Sequence, residues 1–470
     1  MRLRHLLGLV SGMLHAQGNV ALPPTVVAAL KAAQIPETHV AIVVQPVDAK
    51  LPLISHNARV AMNPASVMKL LTTYAALDLL GPAYTWRTDA LADNAPVNGR
   101  LNGNLYLKGS GDPKLALEHF WALLRQLRVR GVQHIGGDVV LDRSAFNVPA
   151  IDPGAFDDKP MRPYNVGPDA LLINFRSLRF TLRADNGRVQ LLLETPADEL
   201  RIDNQLKLTS GDCTNDWKNF INIRLRPDNG SSRLEFTGTF SAACVEKTLN
   251  LAPLPADAQV SGLFRALWKE LGGTLAGQVR VGTTPATARL LARQESPALA
   301  DIVRDINKWS NNVMTRQVYL TLGNSDGPAT AERARQRIDA WLAGRGLKFD
   351  ELVIENGAGL SRNERISADS LNRLLLDVWK SPVMPELLSS LPIVGIDGTM
   401  RKRLKDSDIT GRAHIKTGTL NDEGVKTAAG IAQDATGKAH AVTILINHPR
   451  ANFGQPVVDA LLLWVAQQGL

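Results

Sequence analysis

The sequence predicts an α+β fold: an antiparallel sheet flanked by helices and interrupted by a long, mainly β insertion. Three observations carry that reading. Strand-like runs occupy both ends of the chain, near residues 38–45 and again at 412–420, 426–432 and 438–447. Apolar residues at helical spacing lie between and after them. From about residue 85 to 284 the pattern changes to many short alternating runs.

Each element has a local reason. Thr38-His39-Val40-Ala41-Ile42-Val43-Val44-Gln45 is nearly continuous in apolar residues, which marks a buried strand, and a shorter run follows at 52–55. Asn63-Pro64 is a helix-start signal. Val67, Leu70, Leu71, Tyr74 and Leu77 then recur at helical spacing, so Ser66 falls in the first turn. In the insertion, strands are expected at 101–108, 138–141, 187–193, 219–225 and 233–240. Helices fit 297–307, 310–322, 329–344 and 367–379. The strands at 426–432 and 438–447 are joined through Asp434-Ala435-Thr436-Gly437, and a helix at 457–466 closes the chain. That helix has no Lys or Arg on a polar face, so it suits packing on the sheet better than lying on a membrane.

These boundaries divide the chain into a host domain, 17–85 with 285–470, and an inserted domain, 86–163 with 245–284. A second β-rich insertion covers 164–244. Domain ends commonly lie close together in space, so an insertion of this size need not disrupt its host.

With 470 residues, 44% hydrophobic and 21% charged, the chain can bury a large core and exceeds one ordinary domain. It contains no low-complexity tract or fixed-period repeat, which excludes disordered, collagen-like and solenoid classes. Arg2 and Arg4, the apolar run from Leu6 to Leu14 and a small residue at Ala16 read as an export signal over 1–16. The protein is therefore expected to be periplasmic or otherwise exported. A net charge of +8 suits an anionic wall polymer, or weak contact with a membrane surface, better than nucleic acid. A solvated basic face would give the same balance. Aromatics are only 5%, too few for a base-stacking surface.

Two cysteines, Cys213 and Cys244, suggest one disulfide in an exported chain; buried free thiols are the alternative. Closing a loop of roughly 30 residues would stabilise by about 3 to 4 kcal/mol in a chain-entropy account. No histidine neighbours either cysteine, and no ligand-spaced cluster occurs elsewhere, so neither a metal nor a cofactor is expected.

The chemistry concentrates in three short motifs. Ser66-Val67-Met68-Lys69 puts an alcohol and an amine about one helical turn apart, on one face. A desolvated lysine near a second cation has a lowered pKa and can accept the serine proton. Ser310-Asn311-Asn312 follows Trp309 at the junction of two helices, where side chains can enter a cleft. Lys416-Thr417-Gly418 ends a strand: the glycine admits a substrate backbone, while the lysine and hydroxyl can meet its carboxylate. Singly each motif is weak, but their order in one chain is a strong signal.

This set resembles the penicillin-recognising serine acyltransferases, the penicillin-binding proteins and serine β-lactamases. Longer stretches are similar to the D-alanyl-D-alanine carboxypeptidase/endopeptidase family, the low-molecular-mass class C penicillin-binding proteins. They are Gly109-Ser110-Gly111-Asp112-Pro113, Glu355-Asn356-Gly357-Ala358-Gly359-Leu360-Ser361-Arg362, Gly395-Ile396-Asp397-Gly398-Thr399-Met400 and His414-Ile415-Lys416-Thr417-Gly418-Thr419-Leu420.

The resemblance implies a penicillin-binding-protein/β-lactamase-like transpeptidase domain acting on peptidoglycan peptides, with β-lactams as covalent inhibitors. It makes Ser66 the nucleophile and Lys69 its base. Ser310 would relay a proton to the leaving amine and Asn312 would hold the substrate amide. Lys416 and Thr417 would handle the terminal carboxylate beside Gly418, and the backbone N–H groups of Ser66 and Thr419 would form the oxyanion hole. Ala358 stands where serine is common in the family. Asp142, in Gly137-Asp138-Val139-Val140-Leu141-Asp142-Arg143, would reach back over the cleft to a substrate ammonium; beside Arg143, an ordinary surface ion pair is the alternative.

Two other readings use the same fold. A β-lactamase needs a group that activates water against the acyl-enzyme, and no Tyr-x-Asn triplet occurs. A non-catalytic wall-binding protein has no need of the intact Ser66, Lys69, Ser310, Asn312 and Lys416.

Overall fold

The computed structural model describes residues 21–198, 200–228, 231–324 and 327–469; the expected export signal lies outside them. At its centre is a five-stranded antiparallel sheet, ordered Ala413–Leu420, Val425–Gln433, Ala439–Asn447, Val40–Pro46 and Ile54–His56. The N-terminal strand thus lies inside a sheet otherwise built from the far end of the chain. Ile42 and Val43 point to opposite faces by the period-two geometry of a strand, and both faces are covered. On one face Ile42, Val44, Val442 and Ile444 pack on the helices Pro24–Ala33 and Gln455–Ala466. On the other, Ala41, Val43, Ala441 and Leu445 pack against Leu70, Leu71, Ile302, Val318 and Leu371. Two covered faces explain why 38–45 reads as continuous rather than alternating. Burying each large aliphatic chain here contributes about 1.5 to 3 kcal/mol at most.

The inserted region carries its many strands and also two helices that the alternating pattern left out. Leu117–Val129 and Ala256–Glu270 turn Phe120, Leu124, Leu263 and Phe264 into a core of their own. Beside them runs a sheet ordered Val279–Val281, Val139–Asp142, Leu105–Gly109, Arg87–Ala92 and Arg289–Glu295.

Two expected boundaries move. Arg289–Glu295 pairs antiparallel with Arg87–Ala92, so the host domain resumes near residue 296, not 285. Glu246–Leu251 pairs antiparallel with Leu178–Asp185, so the second insertion continues past 244. Both shifts come from pairings distant in sequence, which alternation within one strand does not encode. The expected strand at 101–108 is split as well, because Gly103 turns the chain with φ +132°.

Cys213 and Cys244 are bonded, with Cα atoms 4.7 Å apart. They lie in the second insertion, against a cluster that includes Trp217 and Phe240.

Candidate active site

Ser66 lies in the tight turn Ala65–Met68, which runs directly into the helix Lys69–Leu80. Ala65 is held in the left-handed region, φ 46°, an uncommon conformation for a residue with a Cβ. Its surroundings fix it there. Ala65 N donates to Asn63 Oδ1 at 2.9 Å, and Thr427 Oγ1 donates to Pro64 O at 2.7 Å. Gly359, itself at φ +76°, leaves room for the carbonyl of Ala65; a Cβ at 359 would come within 1.8 Å of that oxygen. The turn is braced at a stored cost of about 1 to 3 kcal/mol.

Lys69 is fully buried one turn later. Its Nζ donates to Ser66 Oγ at 2.8 Å, to Asn312 Oδ1 at 2.6 Å and to the carbonyl of Ala358. All the donors of an ammonium are thereby used. Burial, and next the charge of Lys416, hold its pKa well below the usual lysine range, while Glu364 pulls the other way.

The sequence pattern expected a helix beginning at Ser310. Instead Ser310 ends the helix Leu299–Trp309 in the left-handed conformation, φ 56°, and the next helix begins at Asn312. Asn311 caps that second helix through its side chain, accepting from Met314 N at 3.1 Å. The break turns Ser310 and Asn312 toward different lysines. Lys416 Nζ donates to Ser310 Oγ at 2.9 Å, as Lys69 does to Asn312. Lys308 steadies the corner from behind, donating to the carbonyl of Leu391 at 2.6 Å and pairing with Asp397 at 2.6 Å.

The strand Ala413–Leu420 is at the sheet edge. Ile415 N donates to Pro392 O, and Ala413 O accepts from Val394 N, both away from the sheet. By alternation the N–H groups of Thr417 and Thr419 face that same open side. Gly418 is required by close approach: a Cβ there would lie 2.3 Å from Thr427 Oγ1 and 2.8 Å from Ser66 N. Lys416 is fully buried, and burial pushes its pKa down to about 7. Thr417 Oγ1 is 3.0 Å from Thr399 Oγ1, which places a second hydroxyl at the strand's outer edge.

The structure thus brings Ser66, Lys69, Ser310, Asn312, Lys416, Thr417 and Gly418 to one place, with Thr419 next along the same edge. Asp142 is not among them. It is 1% exposed at the end of its strand, where its oxygens accept from Ser144 N at 3.0 Å and Thr284 N at 2.8 Å. Burial opposes its charge, but the hydrogen bonds from Ser144 and Thr284 outweigh it and lower its pKa. Those contacts make Asp142 a brace between two strand ends. Arg143 pairs with Asp169 and Asp257 instead.

Sequence reasoning missed Glu364. Its Oε1 accepts from the backbone N–H groups of Glu355, Asn356 and Gly357 at 2.9 to 3.0 Å, and burial raises its pKa. This pins the segment whose next carbonyl, Ala358, receives Lys69. Two cavities adjoin segments that carry these residues. One, of about 490 Å³, adjoins Asn356 and Ser361; the other, of about 460 Å³, adjoins Ser310 and Asn312. An alcohol touching a buried amine of lowered pKa, beside an open strand edge, is equipped for nucleophilic acyl transfer.

Comparison with known families is decisive. A model of the D-Ala-D-Ala carboxypeptidase 3 (S13) family matches residues 24–468. The chain belongs to that family. It is 27% identical to a D-alanyl-D-alanine carboxypeptidase of Actinomadura sp. (strain R39) over 433 residues, 88% of this chain and 79% of that protein. It is 24% identical to the D-alanyl-D-alanine carboxypeptidase DacB of Haemophilus influenzae over 401 residues, 84% of this chain and 82% of the relative. The crystal structure of penicillin-binding protein 4 from Haemophilus influenzae shares the fold, with a TM-score of 0.77 at 23% identity over 93% of this chain and 99% of the other. The same protein has been solved in complex with a β-lactam; that structure matches with a TM-score of 0.73 at 22% identity over 93% of this chain and 99% of the other. As an S13 family member, the chain has the α+β architecture with inserted domains that its motifs implied.

Proposed function

We propose that this chain is an exported serine-type D-Ala-D-Ala carboxypeptidase that also cuts peptidoglycan cross-links, and that β-lactams acylate it. The observation that carries the reading is the 2.8 Å contact between Ser66 Oγ and the buried amine of Lys69. Lys69 takes the Ser66 proton as Oγ attacks the carbonyl of the penultimate D-alanine. The N–H groups of Ser66 and Thr419 receive the developing oxyanion. Ser310, bonded to Lys416, passes a proton to the departing amine, and that C–N bond breaks. Water then cleaves the Ser66 ester and regenerates the hydroxyl. Lys416, Thr417 and Thr399 meet the substrate's terminal carboxylate, and Asn312 its amide, while Gly418 lets the peptide backbone lie against the strand edge.

The family membership and the β-lactam complex of the Haemophilus influenzae protein support this reading, as does the absence of a Tyr-x-Asn triplet against the β-lactamase alternative. Digestion of purified muropeptides tests it. Release of D-alanine from pentapeptides and conversion of cross-linked dimers to monomers are expected, both blocked by benzylpenicillin. Rapid turnover of benzylpenicillin with no peptide cleavage would favour the β-lactamase reading instead.

A further inference from the structure

The cavity beside Ser310 differs in chemistry from the one beside Asn356 and Ser361. Its walls bring together Arg162 from the first insertion, Tyr164 and Lys218 from the second, and Trp309 next to the serine itself. Among the described residues no Asp or Glu lines it, whereas Asp152 and Glu355 both line the other cavity.

Arg162 and Lys218 form no ion pair with any described residue, although acids elsewhere on the surface are widely paired. Among the described residues, the Lys218 ammonium meets the ring of its neighbour Trp217, 5.5 Å away. Partial burial, and then the charge of Arg162, lower its pKa, so the two cations lie close enough to repel. Trp309, which lines the cavity, is 66% exposed and so leaves an aromatic surface accessible there. Like charges held together at an aromatic-walled hollow are relieved by an anion.

The position says which anion. In the reaction proposed above, Ser310 protonates the leaving amine, so whatever is attached to that amine leaves past Ser310 and Trp309. Free D-alanine is small. When a cross-link is cut, the amine belongs to a second stem peptide, which continues beyond the bond and carries further carboxylates. A volume of about 460 Å³ is in the range of a pocket for such a segment.

We propose that this cavity receives the leaving stem of a cross-linked peptide and that Arg162 and Lys218 pair with its carboxylates. The site would then set the balance between cross-link cleavage and D-alanine trimming. The disulfide Cys213–Cys244 closes the segment that carries Lys218, so the second insertion would present that cation on a braced loop. The proposal rests on the endopeptidase reading.

The test uses Arg162→Gln, Lys218→Gln and the double variant in the full chain. Two substrates are compared: a cross-linked dimer with free carboxylates on the leaving stem, and the same dimer with them amidated. The ratio of cross-link cleavage to D-alanine release, each as kcat/KM, should fall about tenfold in the double variant for the free-acid dimer, with smaller falls in the single variants. With the amidated dimer the ratio should be the same in variant and wild type. Raising salt should narrow the difference. An unchanged ratio, or an equal fall on the amidated dimer, would overturn the proposal. So would a wild-type enzyme that releases D-alanine but leaves dimers intact. A wild-type enzyme that neither releases D-alanine nor binds benzylpenicillin covalently would instead remove the reading on which the proposal rests.

Discussion

Asn312 Oδ1 accepts a hydrogen bond from Lys69 Nζ at 2.6 Å, so an amide at the start of one helix fixes the amine at the start of another. Replacing it with alanine leaves a fully buried amine short of one partner, at a cost of about 1 to 3 kcal/mol. Asn312→Ala should therefore slow acylation by a fluorescent penicillin by about 10- to 100-fold. Asn312→Asp places a negative charge against Lys69 and should move the acid limb of the rate profile to higher pH. Rates unchanged in both variants would separate Asn312 from the reaction.

Glu364 acts through its neighbours. It holds three backbone N–H groups of the segment that ends in the carbonyl of Ala358, and its charge raises the pKa of Lys69. Glu364→Gln keeps an acceptor but removes the charge. The acid limb of acylation should then move to lower pH while the melting temperature changes little. Glu364→Ala orphans the backbone donors and should lower stability by about 1 to 3 kcal/mol or more, measured by urea denaturation. A wild-type acid limb in Glu364→Gln would reduce the residue to a structural brace.

The two buried lysines predict a bell-shaped kcat/KM. Below the lowered pKa of Lys69 its amine is protonated and does not accept the Ser66 proton, so the rate rises with pH as that proton is lost. Lys416 becomes neutral as pH passes about 7, and attraction for the substrate carboxylate falls. A bound carboxylate raises the Lys416 pKa, so the alkaline limb of kcat should lie above that of kcat/KM. Lys416→Arg, which stays charged, should abolish the alkaline limb. A limb that persists in Lys416→Arg would belong to another group.

Asp142 provides a sharp contrast. Because its oxygens serve Ser144 and Thr284, Asp142→Ala should destabilise by about 1 to 3 kcal/mol. Substrates with a free and an acetylated side-chain amine should lose kcat/KM equally, if at all. A selective loss on the free amine would restore Asp142 to substrate recognition.

The parts legible in the sequence were those governed by short-range rules. Apolar continuity at 38–45 marked a strand covered on both faces, and helical spacing after Asn63-Pro64 put Ser66 and Lys69 on one face. The motifs named the residues that converge. Glu364 and Ala358 gave no such signal, because one acts through backbone donors and the other through its carbonyl, which any residue supplies. The junction of two helices at Ser310 was legible, but its left-handed conformation was not, because spacing does not encode the backbone angle of a single residue. Arg289–Glu295 was assigned to the wrong side of a boundary because its partner strand lies far back in the chain. The bracing contact of Asp142 with Thr284 was not legible either, because the two lie far apart in the chain.

Mass spectrometry after incubation with benzylpenicillin tests the central claim most directly. The wild-type chain should gain the mass of one ring-opened antibiotic, mapped to the peptide containing Ser66. Ser66→Ala, melting at the wild-type temperature, should gain nothing. An adduct on any other residue, or one that survives in folded Ser66→Ala, would contradict Ser66 as the nucleophile activated by Lys69.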